Sequence, residues 1–552
     1  MRIPTGLVGG LYSLPLAVFF TGLVPCAVDG TPLTQTTVTD AIVSLDQATV
    51  KGFVDSSGNS VFLGVPFAAS TAGENRWKAP QDVVKRNKKD VFDASQYGAT
   101  CPQAIRGTTY SQQGEDCLNL NVWVPAGSKS GLPVFVYLYG GAMVTGSSSN
   151  PQLVGSNFAR KGVIFVSFNT RESLWAYPNS AELAEPNKSQ NFGILDVDKA
   201  LQWVRDNIAR FGGDPDHIVF GGHSSGSVQV DHYLWNHPDT WLAGAVEMAG
   251  VAKSGPAVGP TNEALDLVAA EVGCPTGKGQ LQCLREVDVY AFQTAAFNST
   301  LNMYFTPVVD EITRYQDYES RFAAGNYASH VPLLTGNSDQ EGAVFSVVYG
   351  SENTDFNAWI RSFNADVAYI EPDVLEASYN ISDYPSVSAM SGAQYGDARF
   401  LCPVDYLLDL RSKAQATWSY RFFANYTNVQ ALPVPAATHG SEIPFFFGGN
   451  ECFAGISGVT KEEQALADFQ SDWFVAWIKN PAAGPGWEKA TPRSGPVAKL
   501  GVPGNELAIE IGDTSDFNAK CQTVYNPRLP KYPVVLSVIV EGLIGLLPGL
   551  SN

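Results

Sequence analysis

The chain has 552 residues, 45% of them hydrophobic, with 54 acidic and 35 basic side chains, a net charge of −19 and a pI of about 4.7. This is ample for a large core, and because no shift in composition divides the chain, we expect one large domain rather than several. The acidic charge disfavours binding to nucleic acid or to anionic membranes.

The N-terminus predicts secretion. Arg2 precedes an apolar stretch over residues 11–24, followed by small residues, which is typical of a secretory signal peptide and too short for a transmembrane helix. We expect cleavage within residues 26–30, so that residues 1–30 are the signal and residues 31–532 the domain. Four N-x-S/T sites follow the signal and suggest glycosylation. They are Asn187, Asn298, Asn380 and Asn425.

The first half of the domain reads as strands with one long helix. Alternation and turns over residues 36–67 predict an antiparallel entry sheet, and residues 118–124 predict another short strand. Residues 132–139 and 162–168 are near-continuous apolar runs, which suit parallel strands buried on both faces. Apolar residues at intervals of four, three and four predict an amphipathic helix over residues 194–211.

A G-x-S-x-G pattern, GHSSG at residues 222–226, follows a short apolar run at 217–220 and precedes a stretch that suits a helix. Strand, tight turn and helix are the context in which this pattern exposes a serine at the top of a sheet. The glycines are needed because a Cβ there would collide with the neighbouring strand and helix. Ser224 is therefore the candidate nucleophile.

Three more strands are predicted in the second half, at residues 243–249, 331–335 and 418–423, and we expect the third of these to be the final strand. Strands alternating with helices indicate an α/β fold with a mostly parallel sheet. The apolar tail, residues 533–552, contains an acidic residue, a proline and glycines. We expect a docked amphipathic extension or a disordered tail, with a discarded lipid-anchor signal or a membrane-seeking segment as the alternative and no stable membrane span.

A serine hydroxyl is a weak nucleophile and needs a base, which in turn needs an orienting acid. In this architecture the chain order is serine, acid, histidine. Of the six histidines, that order assigns four to structural or surface roles, at His217, His223, His232 and His237.

The same order leaves two histidines, His330 and His439, as possible bases. His330 precedes the strand that the acid should follow, so His439 is the better base. The acid should lie just after residues 331–335, where order does not separate Asp339 from Glu341. The developing oxyanion needs backbone N–H groups, and we expect them from Ser225 and from the loop Gly140-Gly141-Ala142.

The chain has eight cysteines, and removal of the signal with Cys26 leaves seven. In an oxidising compartment this predicts three disulfides and one free thiol. Two pairs of cysteines are near neighbours in sequence. Spacing does not decide which two of the other three cysteines form the third disulfide. The near pairs are Cys101 with Cys117 and Cys274 with Cys283, and the other three are Cys402, Cys452 and Cys521.

Together these stretches resemble the type-B carboxylesterase/lipase family, the cholinesterase-like branch of the α/β-hydrolases, including its secreted fungal members. The similarity extends over about residues 36–532. It is carried by FGGDPDHIVFGGHSSG at 211–226, EDCLNLNVWVP at 115–125, GVPFA at 64–68 and HGSEIPF at 439–445.

The resemblance implies an α/β-hydrolase fold, with a large mostly parallel central sheet flanked by helices, and a serine hydrolase acting on carboxylic ester bonds, in EC class 3.1.1, without metal or cofactor. It implies a triad of Ser224, Glu341 and His439, which favours Glu341 over Asp339. It further implies oxyanion donors at Gly141, Ala142 and Ser225, supporting residues at Glu442 and His223, and disulfides Cys101–Cys117, Cys274–Cys283 and Cys402–Cys521.

Two departures bear on specificity. His223 stands where cholinesterases carry a glutamate, which removes a negative charge useful for a quaternary ammonium. The loop between Cys101 and Cys117 holds only 15 residues and is longer in cholinesterases and yeast-type lipases. Both departures argue against choline esters, and the short loop argues against strongly lid-gated lipase action.

We therefore expect a secreted serine carboxylesterase that hydrolyses small-molecule or lipid esters through an acyl-enzyme intermediate. The nearer alternative is a triacylglycerol lipase or a specialised esterase, for instance one acting on aromatic esters. The more distant alternative is a non-catalytic adhesion or binding member of the family, which the presence of all three triad positions disfavours.

Overall fold

The computed structural model describes residues 40–84, 90–103, 112–127, 130–252, 261–298, 305–350, 355–363, 370–430, 434–449, 452–453 and 456–529. The expected signal peptide and C-terminal tail lie outside the described residues. Within these ranges no helix has both the length and the apolar character needed to cross a membrane.

One sheet organises the described part of the chain. Its strands are β1 Asp40–Ser44, β2 Thr49–Val54, β3 Ser60–Pro66, β4 Val91–Asp93, β5 Asn119–Val124, β6 Leu132–Leu138, β7 Ile164–Phe168, β8 Gly213–His223, β9 Gly244–Met248, β10 Leu333–Ser338, β11 Thr417–Phe422, β12 Pro496–Leu500 and β13 Glu510–Asp513.

The strand order is β1-β2-β3-β5-β7-β6-β8-β9-β10-β11-β12-β13, with β4 beside β2. All pairings from β7 to β12 along this order are parallel. The successive pairings from β1 through β2, β3 and β5 to β7 are antiparallel, as expected for the entry sheet, and β13 adds an antiparallel edge. The short strand β4 pairs with β2 in parallel. The sheet is therefore mixed, with a parallel centre.

One expectation about the sheet is wrong. The strand predicted at residues 418–423 is not the last, because β12 and β13 follow it. These two strands are short, and β13, with the sequence EIGD, combines two acidic residues with a glycine. A short strand of this composition lies at an edge and lacks the apolar run that marks a buried strand.

Helices cover the sheet and carry the connections. In the described residues they are α1 Ser156–Arg160, α2 Ser173–Ala176, α3 Phe192–Asn207, α4 Ser225–Asn236, α5 Glu263–Glu271, α6 Gln280–Glu286, α7 Val289–Asn298, α8 Tyr318–Ala323, α9 Ala343–Gly350, α10 Phe356–Phe363, α11 Pro372–Ser378, α12 Val387–Gly396, α13 Cys402–Arg411, α14 Ile443–Phe446 and α15 Lys461–Lys479. The helix predicted over residues 194–211 corresponds to α3 together with the 3₁₀ turn that follows it at Ile208–Phe211.

The core lies on both faces of the central strands. Residues 134–136 of β6 and 164–166 of β7 are fully buried, which explains their uninterrupted apolar runs. On one face, aromatic rings from α1, β7 and α15 pack against Phe135, with centroid distances of 5.3 Å to Phe158, 5.9 Å to Phe165 and 5.5 Å to Phe474. The strand ends that carry polar residues are thus held by a packed apolar layer.

The structure contains the three disulfides Cys101–Cys117, Cys274–Cys283 and Cys402–Cys521. Cys452 is buried outside any disulfide, and its Sγ lies 3.0 Å from the carbonyl oxygen of Gln152. Three of the four candidate glycosylation residues, Asn187, Asn380 and Asn425, are exposed. Asn298 ends α7, and its side chain is outside the described part.

Candidate active site

Ser224 occupies a sharp turn between β8 and α4. Its backbone adopts φ 56° and ψ −122°, a conformation that L residues rarely adopt. Such strain costs about 1–3 kcal/mol and persists only where the surroundings enforce it. Here the Ser224 N–H donates to the carbonyl of Met248 at 2.7 Å, and its carbonyl accepts from Val228 at 3.0 Å. The turn leaves the Ser224 side chain half-buried at the carboxyl end of the sheet.

The two glycines of the GHSSG stretch are required by close packing. A Cβ on Gly222 would lie 2.5 Å from the carbonyl of Gly226, and one on Gly226 would overlap the carbonyl oxygens of Leu138 and Tyr139. Neither backbone can yield without moving β6 or α4. The predicted steric reason for these glycines is therefore visible in the structure.

Glu341 and His439 meet at the same end of the sheet. Glu341 follows β10 and His439 follows β11, which are parallel neighbours, so their carboxyl ends lie side by side. His439 Nδ1 is 2.5 Å from Glu341 Oε2. The backbone N–H of Ser338 donates to Glu341 Oε1 at 2.6 Å, so both oxygens of this carboxyl have a donor.

Asp339, the other carboxyl that order allowed, has a different partner. Arg421 Nε donates to Asp339 Oδ1 at 2.8 Å, and Arg421 Nη2 donates to the Asp339 carbonyl at 2.8 Å. Its side chain is thus directed to β11 and not to the imidazole. The geometry brings Glu341, rather than Asp339, to His439.

Burial controls the charge of this pair. It raises the pKa of Glu341 to about 8, against the opposing effect of the Ser338 N–H. Together with a smaller effect from the positive charge of Arg399, it lowers the pKa of His439 to about 3. A neutral imidazole at neutral pH is the form that accepts a proton, which is what a general base must do.

Three rings surround the imidazole of His439. Its centroid lies 4.4 Å from that of Phe400, 4.5 Å from that of His223 and 5.4 Å from that of Phe345. His223 directly precedes Ser224, so the ring contact brings the serine turn beside the base. Among the described residues no hydrogen bond joins Ser224 Oγ to His439, and bonds of this kind are often long in unliganded enzymes and shorten when substrate binds.

The other histidines have partners elsewhere. His330 Nε2 lies 2.7 Å from the Thr240 carbonyl and is not brought to Glu341. The remaining three contact the carbonyl of Ile478, the hydroxyl of Tyr318 and a carboxylate oxygen of Asp198, for His217, His232 and His237 respectively.

A strained loop after β6 faces the serine. A Cβ on Gly140 would lie 2.7 Å from the Ser224 Cβ and 2.7 Å from the His223 carbonyl oxygen, so only glycine allows this approach. Gly141 has φ 150° and Ala142 has φ 57°. In the described part of the chain, the backbone N–H groups of Gly141, Ala142 and Ser225 donate to no protein acceptor. They are available to an oxygen bound at the turn.

Glu442 lies three residues after His439 and is fully buried. Its Oε2 accepts a hydrogen bond from Ser338 Oγ at 2.8 Å, and its Oε1 lies 3.8 Å from His223 Nε2. Burial raises the pKa of Glu442 to about 8 and lowers that of His223. Both residues expected to support the site are thus beside it.

Sequence reasoning missed four residues of this site. Phe345 and Phe400 flank the imidazole, Ser338 holds two carboxyls, and Arg421 takes Asp339. The nearest available signal was the position of Ser338 between the strand at 331–335 and the two candidate acids. The other three carry no motif of their own. In the described residues no cluster of three or more His, Cys, Asp or Glu side chains could hold a metal ion.

A family model described as the Carboxylesterase family matches residues 39–518. Para-nitrobenzyl esterase of Bacillus subtilis (strain 168) is 30% identical over 469 residues, which cover 81% of this chain and 91% of that protein. Secreted lipase 5 of Gibberella zeae is 29% identical over 483 residues, covering 78% of this chain and 83% of that protein. A solved structure of PNB esterase superposes with a TM-score of 0.73 at 25% identity, covering 89% of this chain and 100% of that one.

Proposed function

The chain belongs to the carboxylesterase family and is a carboxylic ester hydrolase with an α/β-hydrolase fold, and on this premise we propose that it is a secreted serine carboxylesterase working through an acyl-enzyme. One observation carries the serine mechanism. The strained turn at Ser224, the His439–Glu341 hydrogen bond and the unpartnered N–H groups of the loop after β6 converge at the same end of the sheet.

In the proposed first step, Ser224 Oγ attacks the ester carbonyl while His439 Nε2 takes the hydroxyl proton. Glu341 holds the Nδ1–H of His439 and stabilises the imidazolium that forms. The carbonyl oxygen becomes an oxyanion and accepts hydrogen bonds from the N–H groups of Gly141, Ala142 and Ser225. The proton then passes from His439 to the leaving alcohol, and the acyl group remains on Ser224.

In the second step water replaces the alcohol. His439 takes a proton from the water, the resulting hydroxide attacks the acyl carbonyl, and the same N–H groups bind the oxyanion. Collapse releases the carboxylic acid and returns the proton to Ser224 Oγ. The half-buried position of Ser224 allows both the ester and the water to reach it.

Replacing Ser224 by alanine tests the nucleophile. We expect Ser224→Ala to fold and to lose turnover of a 4-nitrophenyl ester by on the order of 10⁴-fold or more. A fluorophosphonate should label the parent enzyme and leave the variant unlabelled. Ser412→Ala is the matched control, because Ser412 lies at the end of α13, far along the chain from the GHSSG turn, and its hydroxyl donates to the Leu408 carbonyl. Retained turnover in Ser224→Ala would exclude this serine as the nucleophile.

Soluble esters, rather than emulsified triacylglycerols, are the proposed substrates. The support is the loop closed by Cys101–Cys117, which is short for a lid. The relatives include both a para-nitrobenzyl esterase and a secreted lipase, so a lipase is the second candidate. Rates on a series of esters across their solubility limits separate the two, and a sharp increase at the emulsion interface would favour the lipase.

Secretion and glycosylation are part of the proposal. Three disulfides fit an oxidising compartment, and the three exposed sequon asparagines are accessible to a glycosyltransferase. When the full chain is expressed in a secreting eukaryotic host, the protein should be recovered from the culture medium, with an N-terminus within residues 27–31. Treatment with an N-glycosidase should lower its mass. An intracellular product that retains Met1 would contradict the proposal.

A further inference from the structure

Two buried polar atoms next to the site face each other without a hydrogen bond. They are Nε2 of His223 and Oε1 of Glu442, 3.8 Å apart. Neither has a hydrogen-bond partner in the described part of the chain. A buried polar group left unpaired costs about 1–3 kcal/mol, so a conformation that joins these two atoms is favoured.

The two residues belong to the two segments that carry the proposed nucleophile and base. His223 ends β8 and directly precedes Ser224. Glu442 lies three residues after His439, in a tight turn in which Ser441 N–H donates to the Thr438 carbonyl at 3.0 Å. A contact between His223 and Glu442 therefore fixes the distance between the serine turn and the imidazole turn.

The gap between Ser224 and His439 lies between the same two turns. Their side chains form no hydrogen bond in the described structure, although the rings of His223 and His439 are 4.5 Å apart. Shortening the 3.8 Å separation to a hydrogen bond of about 3.0 Å would draw the two turns together by a little under 1 Å. That movement is of the size that brings a serine and its base into reach, and a misplacement of about 1 Å can cost on the order of 100-fold in rate.

We propose that His223 and Glu442 form a second imidazole–carboxyl pair, in which the protonated Glu442 carboxyl donates a hydrogen bond to His223 Nε2, and that this pair positions His439 against Ser224 during catalysis. The inference rests on the proposed function of the site. Both residues are positioning residues, since they act through His439 and Ser224. The proton stays within the pair, so no charge is added beside the imidazolium.

Other contacts fit a neutral pair. Ser338 links the two carboxyls, donating its N–H to Glu341 and its hydroxyl to Glu442. Burial and the negative charge of Glu341 raise the pKa of Glu442, and burial lowers that of His223, so Glu442 is the carboxyl that keeps a proton and the His223 imidazole is an acceptor. A charged pair would place a second cation 4.5 Å from the His439 imidazolium, which is unfavourable in a buried site.

A side-chain amide distinguishes this pair from an ion pair. In Glu442→Gln the amide oxygen still accepts from Ser338, and the amide N–H still donates to His223, as the protonated carboxyl does. Glu442→Met keeps the length but has no donor. We expect Glu442→Met and His223→Phe each to lower kcat by on the order of 10-fold to 100-fold, with KM nearly unchanged. We expect kcat of Glu442→Gln to be about tenfold or more above that of Glu442→Met.

A double-mutant cycle completes the test. Because either change breaks the same pair, the double variant His223→Phe/Glu442→Met should lose no more kcat than the worse single variant. His232→Phe is the matched control, since it removes a buried imidazole of α4 that contacts Tyr318. Thermal unfolding of each variant separates lost activity from lost fold.

Three results would overturn the pair: additive losses in the double variant, a loss in Glu442→Gln equal to that in Glu442→Met, or no loss in His223→Phe. If Glu442→Met does not fold, Glu442→Gln and His223→Phe decide the question together. Ser224→Ala in the same assay keeps the two proposals apart. Turnover in that variant defeats the serine mechanism, whereas an inactive Ser224→Ala beside an additive cycle defeats only the pair.

Discussion

Replacing Glu341 by glutamine removes the carboxyl that is ionised when His439 is protonated, because a cation in hydrogen-bond contact favours the charged form of a carboxyl against the effect of burial. In the proposed transition state His439 carries a positive charge, and its Nδ1 lies 2.5 Å from Glu341 Oε2. With the two delocalised charges about 4 Å apart and an effective dielectric constant of about 20, their attraction contributes about 4 kcal/mol. Losing it should lower kcat by about 10³-fold, while the similar shape of glutamine keeps the fold.

The neighbouring carboxyl provides the control. Asp339 is two residues away and pairs with Arg421, so Asp339→Asn should leave kcat within a few-fold of the parent while lowering stability slightly. Single-turnover release of 4-nitrophenol, measured for both variants, compares acylation directly. If Glu341→Gln kept more than a tenth of the parent rate, or if Asp339→Asn lost as much, the charge argument for Glu341 would be refuted.

Three further changes have defined outcomes. Arg399→Gln removes a positive charge that opposes protonation of His439, so the pKa of His439 should rise and the acid limb of kcat/KM against pH should move to higher pH; an unmoved limb would contradict this. Gly226→Ala places a methyl group against two carbonyl oxygens and should lower the free energy of unfolding in urea by about 1–3 kcal/mol, with reduced kcat. The double variant Cys402→Ser/Cys521→Ser opens a disulfide of sequence separation 119, and on the loop-entropy model it should lower the free energy of unfolding by about 5 kcal/mol. A loss below about 1 kcal/mol would show that this model fails for this disulfide.

The central strands were predictable because their uninterrupted apolar sequences indicate burial on both faces. Residues 132–139 and 162–168 are apolar without interruption, and the structure buries β6 and β7 on both faces. The edge strands lack this signal. β4 has three residues, and β13 has four with two acidic side chains, so their backbone pairing depends on the neighbouring strand and not on an apolar pattern of their own.

The choice between Asp339 and Glu341 shows a different limit. The two carboxyls are two positions apart, and chain order gives them equal standing. What separates them in the structure is Arg421, an arginine 82 positions later that takes Asp339. The local sequence around Asp339 does not show that its ion-pair partner lies on the neighbouring strand. Before the structure, only the resemblance to a family distinguished the two carboxyls.

The meeting of Glu341 and His439 follows from topology. They are 98 positions apart, yet β10 and β11 are parallel neighbours, so residues that follow the two strands emerge at the same edge. This explains why an order rule for serine, acid and histidine can predict a site without coordinates. The same rule says nothing of His223 and Glu442, because their approach depends on the orientation of two turns and not on strand order. Their separation of 3.8 Å depends on how the turn at Ser224 and the turn after His439 face each other. In the proposed mechanism, catalysis depends on the same orientation of the two turns. Variants at these two positions therefore test this orientation, which strand topology does not determine.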